Sequence, residues 1–296
     1  MKRKLWTMLA VILIILAFPL RAFADAGPKP SITIHCVNLP EGEVYLDLLI
    51  DAPPFEHEEG YRYGDYGWAR EPGKYDAKML DVLEAYNEDG WRPALATGTS
   101  VPLWGELRLH VSDGNAMAGF AYMGVPDRFK IIIVTQDGKV VVSDVIKRTA
   151  FNSVVDLDYA KMSASEIKAV ERNFLAQTAK QVAFTLTATY LVEGLILLLF
   201  RFSLRQNWKP FVFVNLGTQI ALHLIVAGAN YFLGTLLAIG FYITFEIGIL
   251  ILETLLFMFH LKQHSKLRRA LYAVTANILS FAAGFFLMVL VFALGL

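Results

Sequence analysis

The sequence predicts a two-part fold: a β-rich domain with one inserted helix, followed by an all-α bundle of four transmembrane helices. Three observations support this prediction. The chain is 55% hydrophobic with a mean hydropathy of +0.46, which is too apolar for an ordinary soluble protein of 296 residues. Its C-terminal part contains four apolar stretches, each long enough to cross a bilayer. The region before them shows short alternating segments separated by turn residues.

The N-terminus is predicted to be a secretory signal peptide over residues 1–24. Three basic residues, Lys2 to Lys4, precede an apolar run from Leu5 to Leu20, and Ala22-Phe23-Ala24 forms a small-x-small cleavage site. A retained membrane anchor is the alternative, since Arg21 lies close to that site. Both interpretations export the domain that follows.

Residues 25–160 are predicted to form an extracytoplasmic β-rich domain. Ser31–Val37 alternates in polarity and Glu43–Ile50 is a second strand candidate, so we expect them to pair as a hairpin. Ala77–Tyr86 has apolar residues at helical spacing. Gln136-Asp137-Gly138 is the strongest hairpin signal in the chain. Ala150–Leu157 is expected to add an edge strand.

Short strands with a single helix favour a β-sandwich, of which an immunoglobulin-like arrangement is one form. An α+β sheet covered by one helix is the alternative. Between residues 25 and 178 the chain carries 24 acidic and 15 basic residues, so nucleic acid is not expected as a partner. The single cysteine, Cys36, excludes an intramolecular disulfide and is predicted to be a buried core residue.

One acidic and aromatic segment of this domain, residues 55–75, is a candidate outer ligand surface. Its proposed contact residues are Tyr61, Tyr63, Tyr66 and Trp68, whose rings suit peptide, sugar or cationic ligands. The alternative is an irregular loop that packs its own aromatic rings. His57 has glutamates on both sides but no recognised ligand spacing, so neither a metal nor a cofactor is predicted.

Residues 161–180 are predicted as a connecting helix, which Ser163 and Glu166 would begin as a capping box. The transmembrane domain, 181–296, then divides into four helices. Their predicted ranges are about 181–202, 211–230, 232–259 and 271–296. Lysine and arginine concentrate in the first and third loops, while the second loop has no charge. The positive-inside rule therefore places the β-rich domain and the C-terminus outside, in a multi-pass protein of the bacterial plasma membrane.

Polar residues in the predicted spans lie on shared helix faces. Asn215, Gln219 and His223 are spaced four residues apart, and Glu246 and Glu253 lie two turns apart. Carboxylates in hydrocarbon usually face a bundle interior or a water-filled cavity. The predicted intramembrane polar core is therefore Glu193, Asn215, Gln219, His223, Glu246 and Glu253.

Three functions are compatible with this core. The carboxyl and amide groups could fix the bundle by hydrogen bonds, leaving the outer domain as a binding, sensing or assembly module of the cell envelope. They could instead form the path of a proton- or cation-coupled transporter, in which case four spans favour a homo-oligomer. Intramembrane hydrolysis is the third alternative, but no recognised hydrolase motif supports it, so no catalytic residue is assigned. The expected partners are the lipid bilayer, envelope proteins, and peptide or sugar ligands.

The chain also resembles a group of uncharacterised membrane proteins of Gram-positive, clostridia-like bacteria. The resemblance is carried by the segment Asp25–Ile34 after the signal peptide, by Asn215-Leu216-Gly217-Thr218-Gln219, and by the paired Glu246 and Glu253. It implies a signal peptide, a β-rich outer domain and four transmembrane helices. It implies no activity, so no residue role follows from it.

Overall fold

The computed structural model describes residues 27–51, 73–96, 103–164 and 169–284, together with the backbone of the last helix as far as Ala293. The chain divides into two compact units, a β-rich unit over Pro28–Asn173 and a helical unit that begins at Phe174. The predicted signal peptide, residues 1–24, lies outside the described residues and stays a prediction.

The β-rich unit contains two sheets. Its strands are β1 Ser31–Val37, β2 Val44–Ile50, β3 Arg92–Pro93, β4 Ala116–Ala121, β5 Arg128–Thr135, β6 Val140–Val142, β7 Ile146–Lys147, β8 Asn152–Asp158 and β9 Ala169–Glu171. The first sheet has the order β4–β1–β8–β9, in which β1 is antiparallel to β4 and parallel to β8. The second sheet has the order β3–β2–β5–β6, and β7 also pairs with β5.

The two sheets share one hydrophobic core. Successive side chains of a strand point to opposite faces, so every second residue of β1 and β2 faces this core. Ile32 and Ile34 come from the first sheet, and Leu46 and Leu48 come from the second; all four are fully buried. Cys36 is buried with them, as predicted.

A helix, α1 Ala77–Ala85, covers the other face of the second sheet. It begins at Asp76, whose carboxylate accepts hydrogen bonds from the backbone N–H groups of Lys78 and Met79. Its apolar face packs on Tyr45, Leu49 and the neighbouring β5 side chains. Strand β2 is therefore buried on both faces along its whole length. The inserted helix of the prediction is confirmed.

Two strand predictions were wrong because long-range pairing replaced local pairing. β1 and β2 do not form a hairpin; the turn between them carries the chain from the first sheet to the second. Ala150–Leu157 was expected at an edge, but β8 lies inside the first sheet, between β1 and β9. The hairpin at Gln136-Asp137-Gly138 is confirmed by the antiparallel pair β5–β6, with Gly138 in the left-handed region at φ +82°.

The predicted connecting helix over 161–180 was also wrong. A short helix, α2 Tyr159–Ser163, ends early, and the chain returns to the first sheet as β9. Arg172 donates two hydrogen bonds to the Asp156 carboxylate of β8, through Nε at 2.6 Å and Nη2 at 2.5 Å. These contacts and the backbone ladder outweigh the helical pattern of the segment. Glu166, the expected capping residue, lies outside the described residues.

Four long helices form the second unit. They are α3 Phe174–Leu199, α4 Leu204–Leu233, α5 Thr235–His260 and α6 Lys266–Ala293. Among the described residues, α3, α4 and α5 are long and apolar enough to cross a membrane. Each helix packs against the next, and α6 packs back against α3, which closes a four-membered ring around a common interior. That α6 also crosses the membrane stays a prediction.

Candidate functional site in the helical bundle

The bundle brings the six predicted polar residues to its interior. Glu193 on α3, Asn215 and Gln219 on α4, and Glu253 on α5 are all buried. His223 and Glu246 are partly exposed, and both line an internal cavity. Helical spacing explains the grouping, because residues four apart on α4 project from one face.

The cavity has a volume of about 290 Å³ and a mixed lining of polar and aromatic side chains. Glu193, Gln219, His223 and Glu246 belong to the predicted core. The remaining polar lining residues are Gln181, Thr185, Thr189, Tyr242, Asn277 and Ser280. Two phenylalanines, Phe184 and Phe281, complete much of the wall, and the ring of Tyr242 stacks on Phe281 with centroids 6.0 Å apart. The six residues predicted from sequence therefore include only part of the site.

The α3 part of the lining follows a pattern that the sequence already contains. Gln181, Thr185, Thr189 and Glu193 are spaced four residues apart, so they form one stripe on the helix. The predicted polar core included only the last of these four. Extending the four-residue spacing by about three turns toward the N-terminus would have found the others.

One polar contact crosses the cavity between α3 and α4. The Thr185 hydroxyl donates to a backbone carbonyl of its own helix, and its oxygen lies 2.9 Å from Nε2 of His223. Since the hydroxyl proton is already used, this geometry favours the tautomer in which His223 Nε2–H donates to Thr185. His223 is thereby held in place with its ring at the cavity wall.

Glu253 lies in a fully hydrogen-bonded setting behind the cavity. The Thr218 hydroxyl of α4 contacts one of its carboxyl oxygens, and Asn277 Nδ2 of α6 donates to the other at 2.8 Å. Asn277 also lines the cavity, so it connects the open space to Glu253. Three helices are therefore joined through this one carboxyl group.

Glu193 and Asn215 have a different setting. Glu193 Oε2 and both polar side-chain atoms of Asn215 are buried, and none has a hydrogen-bond partner in the described structure. The same is true of the Tyr272 hydroxyl. Buried polar groups are nearly always paired, because an unpaired one costs about 1–3 kcal/mol. The presence of these unpaired buried atoms is therefore unusual, and close packing of the helices does not account for it.

The end of the bundle where α3 meets α4 and α5 meets α6 is closed and basic. Apolar side chains fill it, and Tyr272 packs against the rings of Phe200, Phe202 and Phe257. The two connections are tied together, since Lys262 N–H donates to Asn207 Oδ1 at 2.7 Å. Seven basic residues lie at this end: Arg201, Arg205, Lys209, Lys262, Lys266, Arg268 and Arg269.

The β-rich unit contains one buried carboxylate that the prediction missed. Asp47 on β2 is fully buried and accepts hydrogen bonds from the backbone N–H groups of Leu95 at 2.6 Å and Ala96 at 3.4 Å. Burial raises the pKa of Asp47 from its ordinary value of 3.8 to about 7, despite these donors. A single aspartate in an otherwise apolar strand gives no sequence signal for this role.

The other candidate residues cannot be placed in a site. Tyr61, Tyr63, Tyr66 and Trp68 lie outside the described residues, so the outer ligand surface stays a prediction. Within the described ranges, no group of three or more His, Cys, Asp or Glu side chains could hold a metal ion. The site that the geometry offers is thus the cavity of the helical unit.

Comparison with protein families, with curated proteins and with solved structures finds no match to this chain. The resemblance to membrane proteins of clostridia-like bacteria therefore stays a prediction. The cavity of the helical unit is the feature of the described residues that bears on function.

Proposed function

We propose that the helical unit binds a cation within the membrane, as the binding step of proton- or cation-coupled transport. The observation that carries this proposal is the convergence of Glu193, Glu246 and His223 on one cavity inside the bundle. Ionisable residues at membrane depth mark ion and proton pathways more often than they mark structural supports. A scaffold would need paired carboxyl groups in a packed core, which only Glu253 resembles.

The side chains that line the cavity indicate the charge of its ligand. Its ionisable side chains are two glutamates, a histidine and a tyrosine, and none of the described lining residues is lysine or arginine. An anion would meet carboxylates without a compensating cation, whereas a cation or a proton would be attracted. The hydroxyl and amide groups of Thr189, Ser280 and Gln219 add neutral oxygens that a cation can use.

The proposal includes an orientation. The basic, closed end of the bundle would face the cytoplasm, because lysine and arginine are enriched in cytoplasmic loops. Gln181, at the other end of the cavity, is seven residues into α3, about 10 Å along the helix axis. Glu193, at the inner end of the cavity, is six residues from the end of α3, so the cavity would lie near the middle of the membrane. The β-rich domain, with its two facing sheets as a β-sandwich, would then be an extracytoplasmic module of a plasma-membrane protein.

The experiment that tests this function is a charge-displacement measurement on proteoliposomes containing the full chain. Jumps in external pH or in Na⁺ should produce a transient current as the cation enters the cavity. Glu193→Gln combined with Glu246→Gln should abolish the current, because glutamine keeps the shape but carries no charge. Thr244→Val is the matched control, since Thr244 is exposed on the outside of α5 and bonds only to Gly240 of its own helix. Equal currents from the wild type and the double variant would contradict the proposal.

A further inference from the structure

We propose that the deep end of the cavity is a binding site for one monovalent cation of the Na⁺ type, held by the carboxylate of Glu193 and the side-chain oxygen of Asn215. This inference rests on the proposed function and names its ligand and ligand-binding atoms. It is carried by the buried polar atoms that lack partners, which are distinct from the groups that fix Glu253.

The burial of these two side chains is the first step of the argument. Glu193 is 1% exposed and Asn215 is 0% exposed, so water in the bulk does not solvate them. Glu193 Oε2, Asn215 Oδ1 and Asn215 Nδ2 have no hydrogen-bond partner among the described groups. The Asn215 amide lies beside the Glu193 carboxyl group. Since neither of its polar atoms makes a hydrogen bond of normal geometry, the amide can turn its oxygen toward an ion next to Glu193.

The contrast with Glu253 is the second step. Both carboxyl oxygens of Glu253 have donors, from Thr218 on α4 and Asn277 on α6. The same bundle therefore supplies donors where a carboxyl group is structural. At Glu193 the neighbouring amide of Asn215 makes no hydrogen bond of normal geometry to Oε2, so this buried oxygen is available to a ligand.

The charge and type of the ion follow from the oxygens. Carboxylate and amide oxygens are hard ligands that favour alkali and alkaline-earth ions over transition metals. The free donor set supplies one negative charge, from Glu193, and neutral oxygens from Asn215 and, nearby, Tyr272. One negative charge matches a monovalent ion, whereas calcium sites usually combine several carboxylates. Na⁺ and K⁺ both meet this description, and the salts compared in the test below distinguish them.

Access to this site is provided by the cavity. Glu193 is itself a lining residue, so an ion in the cavity reaches it without crossing a layer of apolar side chains. Asn215 lies one helical turn beyond Gln219 on the same face of α4. The ion would thus pass His223 and Glu246, then Gln219, and bind where the apolar end of the bundle begins.

The test uses the full chain in detergent, with ²²Na⁺ binding and thermal unfolding measured in NaCl, KCl or choline chloride at equal ionic strength. Na⁺ should bind the wild type and raise its unfolding temperature, because a ligand that binds only the folded state stabilises it. Glu193→Gln and Asn215→Leu should each weaken Na⁺ binding by at least about tenfold. Thr244→Val should bind as the wild type does.

Asn215→Leu also separates an ion ligand from a structural amide. Removing a buried polar group without a partner leaves no broken hydrogen bond, so the variant should be as stable as the wild type, or more stable, in choline chloride. A variant that is destabilised in choline and keeps its Na⁺ response would overturn the proposed site.

The remaining outcomes distinguish this inference from the function on which it rests. An unfolding temperature that is equal in all three salts, with no ²²Na⁺ bound, overturns the Na⁺ site. If pH jumps still produce a current that Glu193→Gln removes, the cavity is a proton site and the proposed function stands. If neither ion produces a current, both proposals are overturned.

Discussion

Three carboxyl groups in the described part of this protein are buried, and each differs in how its hydrogen-bonding partners offset the free-energy cost of burial. Asp47 accepts backbone N–H groups from the segment that follows β3, and Glu253 is contacted by side chains from two neighbouring helices. Glu193 has an oxygen with no donor at all. The first two arrangements stabilise the fold around a carboxyl group, whereas the third leaves a carboxyl group available to a ligand.

Asp47 should make the β-rich unit more stable in acid than at neutral pH. Its pKa is raised from 3.8 to about 7, so the folded state holds a proton that the unfolded chain releases. The free energy of unfolding should therefore be highest below pH 4 and fall as pH rises toward 7, by about 4 kcal/mol in the limit of full burial.

The Asp47→Asn variant should remove this pH dependence. Calorimetry of the full chain between pH 4 and 8 measures it on the unfolding transition of the β-rich unit. Asp51→Asn is the matched control: Asp51 follows the same strand but is exposed and pairs with Arg128 at 3.3 Å. A wild-type curve that does not fall between pH 4 and 7 would show that Asp47 is ionised throughout.

The Thr218 hydroxyl should contribute to bundle stability through Glu253. Thr218→Val keeps the shape of the side chain but leaves one buried carboxyl oxygen without its partner. We expect a loss of about 1–3 kcal/mol in the free energy of unfolding, measured in bicelles by steric trapping. Thr244→Val, on the exposed face of α5, should change it by less than about 0.5 kcal/mol. Equal losses in the two variants would contradict the role given to Thr218.

At the scale of elements, β9 shows how a few contacts decide between helix and strand. The segment after α2 has helical spacing, yet it pairs with the edge of the first sheet. Glu171 reinforces the pairing, since its carboxylate accepts hydrogen bonds from the backbone N–H of Thr149 and from Ser153 Oγ. Arg172 adds the paired contact to Asp156, and this contact lowers the pKa of Asp156.

Arg172→Lys should loosen β9 while leaving the rest of the sheet intact. Lysine is a single charged donor and cannot reproduce the two-pronged contact with Asp156. Hydrogen exchange at Ala169–Glu171 should speed up by an amount equivalent to about 0.5–1 kcal/mol. The effect should shrink only well below pH 3.8, as pH falls through the lowered pKa of Asp156 and the ion pair is lost.

A control for this variant is Lys161→Gln, because the ammonium group of Lys161 contacts only the nearby Asp158 carboxylate, at 3.5 Å, where α2 begins. In the Lys161→Gln variant, the backbone amides of β9 should exchange hydrogen at the wild-type rate. If Arg172→Lys also leaves that exchange unchanged, backbone pairing alone holds β9.

The whole molecule combines a unit of long-range strand pairing with a unit of sequential helices. We expect the basic end of the bundle to face the cytoplasm. Cysteine labelling can test this in intact cells. Cys36 gives no background, because it is buried and burial raises the pKa of its thiol to about 12.

Two cysteine substitutions should report opposite sides of the membrane. Glu41→Cys, at an exposed position of the β-rich unit, should react with an impermeant maleimide in intact cells. Arg205→Cys, at the exposed start of α4, should react only after permeabilisation. The reverse pattern would invert the topology and overturn the proposed orientation of the bundle.

The sequence by itself determined the parts of this protein that depend on neighbours along the chain. The number and order of the four long helices, the helix over Ala77–Ala85 and the hairpin at Gly138 follow from residue spacing and turn residues, although three of the long helices begin five to seven residues before their predicted starts. So do the interior positions of Glu193, Asn215 and Glu253, since a lipid-spanning helix turns its polar face inward.

Only the tertiary structure decided what depends on residues far apart in the chain. The parallel pairing of β1 with β8, the placement of β9 and the burial of Asp47 arise from contacts across many residues, for which local patterns carry no signal. The same holds within the bundle. Spacing on each helix predicted a polar face, but only the packing of four helices gave Glu253 its donors and left Glu193 and Asn215 without any. Hydrogen bonding between helices is set by their rotation and depth, and a single helix pattern does not encode those quantities.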